Sequence, residues 1–80
     1  MTQTDRAFSL RRGAPSPLET ERRELLQELS RTRVLTNQAY SSFNQASDHD
    51  LIESYVYEIN ALQARYNYLL RRIKQLEAGR

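Results

Sequence analysis

The 80-residue sequence has no cysteine and no tryptophan, one histidine, and only two glycines and two prolines. Without cysteine there is no disulfide framework, no thiolate zinc site and no thiol nucleophile. So few turn-formers argue against an all-β domain and favour long helices. No glycine-rich phosphate loop is present, and no run of about 18 apolar residues is available to span a bilayer. Charge of one sign is also scarce: 12 basic residues face 10 acidic ones, for a net charge of +2. That excess does not by itself argue for nucleic acid. The length leaves room for one small domain and excludes a large enzyme with a deep pocket.

What is present divides into a tail and a helical body. Residues 1–15 carry Arg6, Arg11, Arg12, Gly13 and Pro15 among Ser, Thr and Gln, a composition expected to be disordered. The Arg11-Arg12 pair is not followed by the apolar stretch that a secretory or twin-arginine signal needs, so a cytoplasmic location is expected. The body, residues 16–80, opens on Ser16-Pro17-Leu18-Glu19. Ser is suited to cap a helix, Pro to its first position, and Glu to bond back from the third. Helix 1 is therefore expected over about 17–46.

The next punctuation is Ser47-Asp48-His49-Asp50. Asp48 is predicted to cap a second helix over about 49–78, with the turn at 47–48 and with Asp50 and Glu53 favoured by the helix dipole. Arg71, Arg72, Lys74 and then Gly79 mark its far end.

Ile52, Tyr55, Ile59, Leu62, Tyr66, Leu69, Ile73 and Leu76 alternate by three and four residues, a heptad seam sustained over more than three repeats. Helix 1 carries a weaker stripe of Leu18, Leu25, Leu26, Leu29, Thr36, Ala39, Tyr40 and Phe43, diluted by Thr32 and Arg33. Folding back at Asp48 pairs Phe43 with Ile52, Tyr40 with Tyr55, Thr36 with Ile59, Leu29 with Tyr66 and Leu25 with Leu69. The same antiparallel pairing sets Glu21, Glu24 and Glu28 across from Arg71, Arg72 and Lys74. The expected fold is all-α, a two-helix antiparallel coiled-coil hairpin. So thin a core is expected to complete a bundle by self-association, most simply as a dimer.

Phe43 to Glu53, then Tyr57-Glu58-Ile59-Asn60-Ala61 and Ala64-Arg65-Tyr66-Asn67-Tyr68-Leu69-Leu70-Arg71, resemble the YaaL-like family of small uncharacterised proteins from Gram-positive bacteria. Glu53 stands where that pattern has Asp, and His49 where it commonly has Pro. The resemblance covers roughly residues 20–75. It implies a helical hairpin in the bacterial cytoplasm and brings no activity or functional residue with it.

Asp48, His49, Asp50 and Glu53 bring carboxylates and an imidazole into one turn, but helix capping already accounts for the acids, so no metal and no cofactor are expected. With a lone histidine and no shaped pocket, the chain is expected not to be an enzyme. Tyr57, Ala61, Ala64 and Tyr68 return to a face roughly opposite the seam. Tyrosines tolerate a wet surface, yet with Arg65 and Val56, and with Val34 and Leu35 on helix 1, they also suit a protein-partner surface. The expected function is a protein-interaction or scaffolding module. The alternative is nucleic-acid binding by the Arg-rich tail and the open end of the hairpin, although Glu19, Glu21, Glu24 and Glu28 share that end. A membrane anchor is not expected, since the tail lacks an organised apolar face.

Overall fold

Ser16 starts the first helix through a reciprocal capping box. Its hydroxyl Oγ accepts from the Glu19 backbone N–H at 3.1 Å, and its own N–H donates to Glu19 Oε1 at 3.2 Å. In the computed structural model, which describes residues 16–79, helix α1 then runs Pro17–Gln45 and helix α2 His49–Ala78. The tail expected to be disordered, residues 1–15, lies outside the described residues.

Between the helices, Ala46 turns extended, with φ −76° and ψ 140°, and its N–H donates back to the Ser42 and Phe43 carbonyls. Asp48 then opens α2. Its Oδ1 accepts from the backbone N–H groups of Asp50 at 2.9 Å and Leu51 at 3.1 Å, satisfying two donors that the first helical turn leaves without partners. The far end differs in chemistry from the expectation. Gly79 caps α2 with φ −77° and ψ −1°, a right-handed conformation that any residue adopts. No basic residue lies in the last turn of either helix; Arg71, Arg72 and Lys74 sit upstream, and two of them engage neighbouring side chains instead.

The helices pack antiparallel along the seam, and their contributions are unequal. Helix α2 buries Ile59, Leu69 and Ile73, whereas α1 buries the small side chains Thr32 and Ala39, exposed by only 1% and 3%. Thr32, expected to dilute the stripe, therefore belongs to it. Leu25, Leu29, Thr32, Thr36, Ala39 and Phe43 alternate by four and three, so α1 has its own unbroken heptad register. The Thr32 hydroxyl is satisfied within the helix, donating to the Glu28 carbonyl at 2.8 Å. Thr36 repeats the bond to the Thr32 carbonyl at 2.8 Å.

Tyr40, expected in the seam opposite Tyr55, instead lies at its edge, 42% exposed, where its hydroxyl accepts from Gln63 Nε2 at 2.9 Å. The remaining expected core residues, Leu25, Leu29, Thr36, Phe43, Ile52, Tyr55, Leu62 and Tyr66, are half-buried. A two-helix body covers each seam residue from one side only, which explains the shortage of fully buried positions.

Candidate interaction surface

The seam divides the hairpin into two flanks and two backs. On one flank Glu21 pairs with Arg72 at 2.9 Å and Glu28 with Arg65 at 3.9 Å. Leu35 and Leu51 continue these rows toward the turn, each a multiple of seven residues from the paired groups. Arg22 reaches Glu77 at 3.0 Å. Glu24, Arg71 and Lys74, expected in cross-helix pairs, form none among the described residues. Arg71 instead lies over the Tyr68 ring, 5.8 Å from its centroid, a cation–π contact along the exposed helix.

The other flank carries two rows spaced by seven residues: Leu26, Arg33 and Tyr40 on α1, and Val56, Gln63 and Leu70 on α2. Leu26, Tyr40 and Val56 are exposed by 38–42%, and Leu70 is half-buried. At mid-height this flank holds a groove of about 320 Å³ lined by Arg33, Thr36, Asn37, Gln63, Tyr66 and Asn67. The groove is lined by side chains that carry polar groups but contains no carboxylate, imidazole or thiol.

The residues expected to form a partner surface are all exposed, but they do not form one patch. Val56 belongs to the flank with the groove, and Leu35 and Arg65 to the flank with the ion pairs. Tyr57, Ala61, Ala64 and Tyr68 line the back of α2, while Val34 stands on the back of α1. Among the described residues Tyr57 is the most exposed large apolar side chain at 65%, and its hydroxyl donates to Glu53 Oε2 at 3.3 Å. Periodicity alone groups Leu26 and Tyr40 with the seam, and their place in an exposed row is signalled by the seven-residue spacing they share with Arg33.

Charge is segregated by the fold. Residues 34–64 contain Asp48, Asp50, Glu53 and Glu58 but no lysine or arginine, and the hairpin places this stretch at the turn end. The open half of the described body holds eight basic side chains against five glutamates. Among the described residues no cluster of three or more His, Asp or Glu side chains is arranged to hold a metal ion, and no helix is long and apolar enough to cross a membrane.

No curated protein and no solved structure matches the chain. Residues 8–78 match the family model described as "Protein of unknown function (DUF2508)", a description that includes no YaaL-like name, and over that span, nearly the whole sequence, the chain belongs to this family of small uncharacterised proteins.

Proposed function

We propose that this chain is a non-enzymatic, cytoplasmic protein-interaction module that presents exposed apolar rows on a helical hairpin. The observation that supports this reading is the number of large apolar side chains left in solvent. Leu18, Leu51, Val34, Tyr57 and Tyr68 are each at least half exposed, and Leu26, Leu35, Tyr40 and Val56 more than a third. Single exposed apolar residues are ordinary, but rows of them along a body this small are a feature of surfaces that meet a partner. Tyr57 and Tyr68, with Arg71 over the latter, supply the aromatic and guanidinium chemistry that anchors such contacts.

Affinity purification with the full chain as bait tests the reading. A partner retained by the parent and lost with Tyr57→Glu or Tyr68→Glu, variants that keep the helical circular dichroism, supports it. Absence of any enriched protein sinks it. The nucleic-acid alternative has less support in the geometry, because Arg22, Arg65 and Arg72 at the open half are already paired with glutamates.

A further inference from the structure

We infer that the flank carrying Leu26, Tyr40, Val56 and Leu70 docks a second copy of this chain, inverted end to end, to make an all-antiparallel four-helix bundle. The inference rests on the interaction reading and assigns one of its surfaces. Three observations point to this occupant.

The first is the symmetry of the rows. Arg33 lies seven residues from both Leu26 and Tyr40, and Gln63 seven from both Val56 and Leu70. Two apolar layers therefore stand about 10 Å on either side of one polar layer. A two-fold axis through that polar layer, across the helices, brings the Leu26 and Leu70 layer of one copy onto the Tyr40 and Val56 layer of the other. The surface is complementary to itself, as a two-fold interface requires.

The second is charge. Packing two copies with their turns at the same end would set four carboxylates with no basic residue among them beside four more. Inversion instead lays each acidic turn end against the basic open half of its neighbour. It also brings Glu53 level with Lys74 of the second copy, and Asn60 level with Asn67 of the second copy. One opposition runs the other way: Arg33 meets its counterpart on the α1 side, where its long side chain extends to the rim.

The third is area. A flank two helices wide and 30 residues long offers on the order of 800 Å², which is what each partner contributes to an interface of standard size.

The full chain is tested by sedimentation across the micromolar range together with single-cysteine cross-linking, which the absence of native cysteine makes clean. The parent should sediment at twice 9.4 kDa. Val56→Glu should raise the dissociation constant on the order of tenfold or more, whereas Ser54→Glu, two residues earlier but on the back of α2, should leave it unchanged. Arg33→Gln should tighten the dimer. Gln63→Cys, at the axis, should form a covalent dimer under mild oxidation, and Ser54→Cys, on another face, should not. If Val56→Glu loses its helical signal, the Gln63→Cys result decides alone. A monomeric parent overturns the inference, as does a dimer in which Gln63→Cys stays unlinked. Neither result touches the capture experiment, so a failed dimer and a failed interaction module are told apart.

Discussion

Thr32 is the most buried side chain of the hairpin, 1% exposed, yet it is polar. Its hydroxyl donates to a carbonyl of its own helix, so it reaches the seam without an orphaned donor, and its small size lets α1 approach the larger α2 side chains. Thr32→Val should therefore change stability by less than about 1 kcal/mol, because the carbonyl it releases is also within reach of the helical ladder. Thr32→Leu should cost about 1 to 3 kcal/mol by overfilling the same space. Chemical denaturation of the two variants side by side checks the contrast, and equal losses would contradict it. At the turn, Asp48→Ala should cost about 1 kcal/mol as a lost N-cap, with Asp48→Asn recovering most of it. Thermal melts followed by circular dichroism measure both.

At the scale of elements, α2 supplies bulk and α1 supplies fit. Leu69 is 3% exposed, and Leu69→Asp places an uncompensated charge in the seam, so it should abolish the cooperative melt. Tyr40→Ala, at the exposed edge, should cost far less, and a loss as large as that of Leu69→Asp would return Tyr40 to the core. The ion pairs decide direction more than stability. Glu21 and Arg72 are each more than a third exposed, so Glu21→Arg alone should cost less than about 1 kcal/mol, and the swap Glu21→Arg with Arg72→Glu should recover it. A double-mutant cycle in denaturant reads the coupling directly.

At the scale of the whole molecule, a body with five buried side chains draws little net stability from one seam. Binding that covers an exposed flank should raise its melting temperature by mass action, so the melt should climb with protein concentration if copies of the chain supply the cover. The charge separation between the ends gives a second expectation. Binding to mixed-sequence DNA or RNA should be weak even at low salt, because glutamates are interleaved with the basic groups of the open half. Tight binding with a steep salt slope would make nucleic acid the better reading.

Local chemistry made the helix limits, both N-caps and the α2 seam legible in the sequence. Capping and periodicity act over a few residues, and Ser16, Asp48 and the alternation from Ile52 to Leu76 express them without help from distant parts of the chain. The family, too, was within reach of the residues from Phe43 to Arg71. Burial is a property of pairs of elements, so tertiary structure decided the rest. A threonine reads as polar until a facing helix closes over it, and Tyr40 reads as apolar until the hairpin leaves it at the rim. Arg65 reads as a partner-surface residue until Glu28 lies opposite. Only the fold turned a stretch without lysine or arginine into an acidic end, because chain reversal alone brings residues 34–48 and 48–64 side by side.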